Sequence, residues 1–231
     1  DIGNWVINAA LAQMSDWQTA GLDIPVSVNV GAQQLLHKDF VINLSAALAR
    51  YPKVKPSYLE LEILETSALE DIAKVSMVMR ACHDIGVSFA LDDFGTGYSS
   101  LTHLKRLPAD LLKIDQSFVR DMLVDADDRS IVTAVIALAS TFKRQVIAEG
   151  VETAAHGAQL IAMGCVLAQG YGIARPMPAE LMAEWIGNWK ADGCSSFRTT
   201  TLLTSPLLLK SHKAFALTAL YENSNKHQNL R

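Results

Sequence analysis

Cysteine is scarce in this sequence, and its three copies are far apart. Cys82, Cys165 and Cys194 lie in separate segments with no Cys-x-x-Cys pair. Neither a disulfide framework nor a zinc knuckle is expected, and a reducing compartment is the default. The six histidines are equally scattered, with no His-x-x-x-His spacing, so they read as solvated or core residues rather than metal ligands. A basic excess is also missing. There are 20 Lys and Arg against 24 Asp and Glu, a formal charge of −4, which argues against binding to a nucleic-acid polymer. No apolar run approaches the roughly 20 residues of a membrane-spanning helix. There is no signal peptide and no initiator Met, and Asp1 leads straight into a helical pattern, so the chain reads as a piece of something longer.

What is present is a core. Half of the 231 residues are hydrophobic, which excludes a disordered or low-complexity chain and is enough for one barrel or open α/β sheet. Residues 3–20 have helical spacing through Trp5, Val6, Ala9, Ala10, Met14 and Trp17, and Gly21 stops them. Strands are expected at 25–30, 58–64, 87–93, 110–115, 145–150 and 165–170. Helices are expected between them: at 39–50, after a capping box of Ser67 and Glu70, in a short stretch ended by Pro108, at 129–142 after Asp127 or Asp128, after Thr153, and at 178–190. Regular alternation of strand and helix is the pattern of a parallel sheet. Residues 191–231 lack that rhythm. They carry five Lys or Arg against two Asp or Glu and read as an appendage, partly helical or disordered.

The polar residues fall at the strand ends. Asn29, Glu62, the pair Asp92–Asp93, Lys113 with Asp115, Glu149 followed by Glu152, and Gln169 each sit where a strand finishes. Parallel βα folds carry their functional mouth at the carboxyl ends of their strands. Several carboxylates in one cup repel unless a cation neutralises them. Oxygen ligands without His or Cys suit Mg²⁺ or Mn²⁺. Two such ions can clamp the attacking and leaving oxygens of a phosphoryl displacement, with a Lys to orient water or balance charge. The cup therefore favours metal-assisted hydrolysis of a phosphate ester. Two look-alike motifs are rejected. Asp93-Phe94-Gly95 lacks the other kinase motifs, and Gly95-Thr96-Gly97 is not followed by the P-loop Gly-Lys-Ser/Thr.

Five segments, LELEILETS (59–67), LDDFGTGYSSL (91–101), LLKID (111–115), VIAEGVET (146–153) and QGYGIARPMP (169–178), resemble the EAL-domain cyclic-di-GMP phosphodiesterases of bacteria. The resemblance covers roughly residues 1–190. It implies a TIM-like (β/α)₈ barrel with one antiparallel strand, here incomplete at about six βα units with the first strands missing. It also implies cleavage of cyclic di-GMP to linear pGpG with two Mg²⁺ or Mn²⁺ ions. By position, Asn29, Glu62, Asp92 and Glu149 resemble metal ligands, and Asp93 a second Asp that binds metal and water. Lys113 resembles the residue that positions the nucleophilic water, and Gln169 one that holds metal-bound water. Asp115 and Glu152 have supporting positions. Glu65 resembles the acid that anchors the loop 94–101, which in the family is tied to homodimerisation. A cytoplasmic location is implied, and sensor or GGDEF domains commonly accompany the family. Two departures stand out. Leu64 replaces a Thr in the usual E-x-T-E-S, and the E-A-L-x-R signature, with a metal-binding Glu and a phosphate-binding Arg, is absent.

Three readings therefore remain at this stage: a cyclic-di-GMP hydrolase, a non-catalytic cyclic-di-GMP receptor or interaction module, and an enolase-type barrel. The last places its metal acids on consecutive middle strands with a Lys base to either side. Here the acids straddle Lys113, which ranks it third.

Overall fold

The computed structural model describes residues 2–69, 71–97 and 101–188. The expected appendage 191–231 lies outside them, as do Cys194 and Glu70. Helix α1 spans Ile2–Thr19 and turns at Gly21, whose φ is +82°. Strand β1 (Val26–Asn29) is followed by the short α2 (Ala32–Leu35) and by α3 (Phe40–Ala49). Strand β2 (Leu59–Leu64) runs directly into α4 (Glu65–Leu69), and α5 (Ile72–Asp84) follows. Then come β3 (Ser88–Phe94), α6 (Leu101–Arg106), β4 (Leu111–Ile114), α7 (Gln116–Asp121), α8 (Ala126–Thr141), β5 (Gln145–Ala148), α9 (Ala154–Ala162), β6 (Leu167–Ala168) and α10 (Met182–Asn188). The last helix, expected as one piece, is split: a 3₁₀ turn at Ala179–Leu181 precedes α10.

All six expected strands form, and they pair in chain order from β1 to β6 with parallel register throughout. A doubly wound sheet would reverse its order at a switch point. This one does not, and it curls as six staves of a barrel. The antiparallel strand implied by the resemblance is not among the described residues.

Two cap assignments differ from expectation. Ser67 lies inside α4, and the cap of α5 is Asp71, whose side chain accepts from the Lys74 backbone N–H. The chain reaches α5 through a break after α4, so it needs a fresh oxygen there. Similarly α8 begins three residues earlier than expected. Asp125 accepts from the N–H groups of Asp127 and Asp128, which leaves those two acids in the first turn, where the helix dipole favours them. Thr153 caps α9 as expected, accepting from His156 N–H.

Hydrophobic residues divide into two cores. The large one lies between the sheet and its helices, with Phe89, Leu91, Leu112 and Ile114 on the sheet side against Val75, Met79, Val132 and Ala139 on the helices. The small one is separate and consists of Ala90, Leu111, Ile147 and Leu167. Strand side chains alternate between faces, so these four share the inner face of the curl, one from each of β3 to β6. Two residues further along the same face come Asp92, Lys113, Glu149 and Gln169. On β1 and β2 the corresponding inner pairs are Ser27 then Asn29, and Glu60 then Glu62. Ser27 donates to the buried Glu60 carboxylate at 2.8 Å. The inner face thus has an apolar floor on four staves and a polar rim on all six.

Two glycines allow the rim to close. Gly150 has φ +67°, and a Cβ on it would lie 2.6 Å from Gln116 Cβ. A Cβ on Gly170 would collide with the backbone N and O of Val151, to which the β6 end is hydrogen-bonded through Gln169. Because backbone cannot move aside as a flexible side chain can, Gly170→Ala is expected to cost more than about 2 kcal/mol of stability. Chemical denaturation would measure it, and a loss below about 0.5 kcal/mol, the size of a neutral surface change, would contradict the contact.

Candidate metal centre

Lys113 sits at the middle of the polar rim. It is 5% exposed, and its Nζ lies 2.8 Å from Glu62 Oε2, 2.8 Å from Asp92 Oδ1 and 2.7 Å from Glu149 Oε1. Those acids come from β2, β3 and the end of β5, so strand alternation and parallel register bring together residues 87 positions apart. Asp92, Asp93 and Glu149 form a second grouping, in which one oxygen from each lies within 4.8 Å of the others. Asp92 and Glu149 belong to both.

Two adjacent residues on a regular strand point to opposite faces, so Asp92 and Asp93 need an irregularity to share one. The β3–β4 register shifts between Leu91 and Phe94, and Asp93 has φ +52°, a conformation that Asp tolerates better than most residues. The Asp92 carboxylate accepts from the Asp93 N–H at 3.2 Å and supports the bulge. This is how a bulge re-aims a side chain at a site.

Burial and mutual repulsion act on these acids. Burial pushes Glu149 up to about 7, with the Asp92 charge adding to it and Lys113 opposing it. Burial likewise raises Glu62, again against Lys113. Asp93 is pushed up to about 6, by burial first and then by the charge of Asp92 and a hydrogen bond with Asp115. Burial alone would depress the Lys113 ammonium. The charges of Glu62, Glu149 and Asp92 outweigh it and hold Lys113 above its usual value.

The other expected residues take distinct places. Asn29 is exposed at the end of β1. Asp115 caps α7, accepting from Ser117 N–H and Oγ. Glu65 is 1% exposed, and its Oε2 accepts from Gly95 N–H at 3.1 Å, which pins the first residues of the loop 94–101. Residues 98–100 of that loop are outside the described ones. Leu64, in place of the family's Thr, is 44% exposed at the rim and pairs in register with Asp92. A cavity of about 260 Å³ adjoins the cluster, lined by Gln116, Glu149, Glu152, Gln169, Tyr171 and Arg175 among others. The Arg175 guanidinium lies 4.8 Å from the Tyr171 ring centroid, a cation–π distance. Gln116, Tyr171 and Arg175 were not singled out from the sequence. The signal available was the i, i+4 spacing of Tyr171 and Arg175 inside QGYGIARPMP.

The donor set fits a hard divalent cation. It is all oxygen, anionic, and drawn from rigid strand ends. One carboxylate oxygen from each of Asp92, Asp93 and Glu149 lies within one ion's reach. Among the described residues, no helix is long and apolar enough to cross a membrane.

Comparison with known proteins gives consistent results. The sequence profile of the EAL domain matches residues 1–176. The bifunctional diguanylate cyclase/cyclic di-GMP phosphodiesterase MucR of Pseudomonas aeruginosa is 43% identical over 180 residues, covering 78% of this chain and 26% of MucR. Cyclic di-GMP phosphodiesterase PdeR of Escherichia coli is 36% identical over 184 residues, covering 80% of this chain and 28% of PdeR. The chain thus spans about a quarter of the length of these relatives. Among solved structures, the PaMucR phosphodiesterase in complex with c-di-GMP superposes with a TM-score of 0.74, covering 78% of this chain and 72% of that one. The EAL domain of Mycobacterium smegmatis DcpA gives 0.76 at 38% identity, covering 81% and 84%.

The raised acids predict a pH dependence. A carboxyl whose folded pKa lies above its unfolded value of about 4 makes the folded state bind more protons, so stability falls as pH rises through the folded value. The window is pH 4 to 7 for Glu149 and 4 to 6 for Asp93. Lys113, raised from a high value, contributes a constant amount there. In EDTA the melting temperature is expected to be lower at pH 8 than at pH 6, and Glu149→Gln should flatten the slope. A melting temperature that rises over that interval would contradict the assignment.

Proposed function

This chain belongs to the EAL-domain family, and from that premise we propose that its activity is hydrolysis of cyclic di-GMP to linear pGpG. The observation that carries the reading is the convergence of Glu62, Asp92 and Glu149 on Lys113 at the strand ends. An anionic cup suits a phosphodiester only if cations mediate, and this cup has both the acids to hold them and a buried ammonium.

Divalent cations, when bound, supply Lewis-acid charge that acidifies water and balances the phosphodiester. Asp92, Asp93 and Glu149 would hold them, with Glu62 and Asn29 at the next two strand ends. In the reaction, water oxygen bonds to phosphorus, the bond from phosphorus to a ribose 3′ oxygen breaks, and that oxygen leaves as a hydroxyl carrying one proton. Asp93, whose carboxylate stands beside Asp92 and Glu149, can accept a hydrogen bond from the attacking water and take the proton that it gives up. Lys113 can orient the attacking water and balance the charge growing on the phosphoryl oxygens. Gln169 and Glu152 line the adjoining cavity and would position substrate groups there. Glu65 fixes the start of the loop 94–101, through which we place a homodimer contact. Residues 1–190 form the phosphodiesterase portion in this reading, and 191–231 a separate appendage. A cyclase domain as neighbour, the GGDEF domain of the resemblance, is in keeping with the diguanylate cyclase in MucR's name.

A protein carrying this region with its natural flanking sequence should release pGpG from cyclic di-GMP in Mg²⁺ or Mn²⁺ and stop in EDTA. Lys113→Ala should lower kcat by about 10²-fold or more, the size of losing one charge-stabilising group. Chromatographic separation of the two nucleotides is the measurement. Saturable cyclic-di-GMP binding without turnover would replace the enzyme with a receptor.

A further inference from the structure

The cavity beside the metal cup carries a cation that the proposed chemistry does not use. Among the described residues that line it, Glu149 and Glu152 are acidic and Arg175 is the one basic side chain. Arg175 is exposed. Among the described residues no ion pair joins it to either acid, and its partner is the Tyr171 ring, whose centroid lies 4.8 Å from the guanidinium carbon. A ring face holds a guanidinium without taking its N–H donors, so the planar fork stays open to an anion. The segment that presents it is fixed. Ile173 and Ala174 N–H both donate to the Gly170 carbonyl, at 3.0 and 3.1 Å, a turn that brings Tyr171 and Arg175 together. Gly172 N–H donates to the Val151 carbonyl at 2.9 Å, and Val151 N–H to the Gln169 carbonyl at 3.0 Å. Those bonds tie the turn to the segment that carries Glu149 and Glu152. Met177, Met182 and Trp185 add an apolar part to the wall, and less water there means less screening of a charge.

We propose that Arg175, oriented by the Tyr171 ring, binds the second phosphodiester of a cyclic dinucleotide, the one that is not being cleaved. The inference rests on the proposed hydrolysis of cyclic di-GMP and adds how the rest of that substrate is recognised. A cyclic dinucleotide carries two phosphodiesters in one ring, each with a negative charge. Glu149 belongs both to the metal cup and to the cavity wall. A substrate with its scissile phosphate at the cup therefore extends its ring past Glu149 into the cavity. There its other phosphate meets Glu152, which repels it, and Arg175, whose fork of donors fits two phosphate oxygens at once. Without Arg175 the described wall offers that charge no cation. A guanidinium already stacked on a ring also has less freedom to lose on binding, so Tyr171 is the positioning residue and Arg175 the one that touches substrate.

Equilibrium binding tests this on a protein carrying the region with its natural flanking sequence, with Ca²⁺ in place of Mg²⁺ and the nucleotide checked to be intact afterwards. Two ligands are compared: cyclic di-GMP, and linear GpG, which has the same two guanosines and a single phosphodiester. Arg175→Met is expected to weaken cyclic di-GMP about tenfold, the size of one hydrogen bond to a charged group, and GpG much less. Arg175→Lys keeps the charge without the fork and should recover part of the loss. Tyr171→Leu should weaken cyclic di-GMP selectively as well, and Tyr171→Phe, which keeps the ring, should retain most of the affinity. Both side chains are exposed, so the variants should melt as the wild type does. Arg175→Met weakening both ligands equally, or neither, would overturn the proposal. The selective pattern without release of pGpG in Mg²⁺ or Mn²⁺ would remove the hydrolase reading and leave this inference standing. Hydrolysis by the wild type with no selective loss in Arg175→Met would remove this inference alone, and a wild type that binds neither ligand would remove both.

Discussion

The rim of this sheet depends on one buried ammonium. Lys113 projects from β4 and meets acids from β2, β3 and the end of β5. Desolvating four charges is expensive, and a buried ion pair often contributes little net stability against an apolar substitute. Its value here is in specificity. Three carboxylates on neighbouring staves would otherwise repel, and the curl that packs the helices would push them together. With Lys113 among them, the register that buries Leu112 and Ile114 on the outer face can also place Lys113 inward between its acids.

The floor below that rim explains why the charges do not spread through the interior. Ala90, Leu111, Ile147 and Leu167 fill the inner face two residues before the polar layer. They exclude water from beneath the acids, and that raises the electrostatic stakes of every contact above them. The β-bulge at Asp92–Asp93 then adds a second acid from one strand at the same level, at the cost of a left-handed backbone at Asp93. Regular alternation builds the ring of ligands, and one local irregularity completes it.

The strands and most helices were legible in the sequence because their period and their glycine and proline boundaries agree. Gly86 and Gly164 follow the ends of α5 and α9 with φ of +89° and +94°. The convergence of Glu62, Asp92, Lys113 and Glu149 was also legible, since each lies at a strand end. The misses are local. The caps at Asp71 and Asp125 each competed with a nearby Asp, Ser or Glu of similar propensity, and only the path of the entering chain decides between them. Helix α7 was unread because Asp115, its cap, looked like part of the strand-end chemistry. The cavity wall at Gln116, Tyr171 and Arg175 was unread because neutral and aromatic residues on loops carry no period. Nor could spacing show how closely Glu62, Asp92 and Glu149 approach Lys113, which is a property of three-dimensional distance alone.

That crowding of acids around one ammonium ties stability to function in a specific way. Four acids, Glu62, Asp92, Asp93 and Glu149, face one ammonium, so the cup holds more negative charge than its fixed cation can match. Burial and that excess push Glu149, Glu62 and Asp93 upward. A proton on a carboxylate removes a lone pair that a metal ion would use, so protons and divalent ions compete for these oxygens. An inner face built from apolar residues alone would be more stable and could do nothing. This one retains an electrostatic deficit at its mouth, and that deficit gives a divalent cation, and behind it a phosphodiester, a reason to bind.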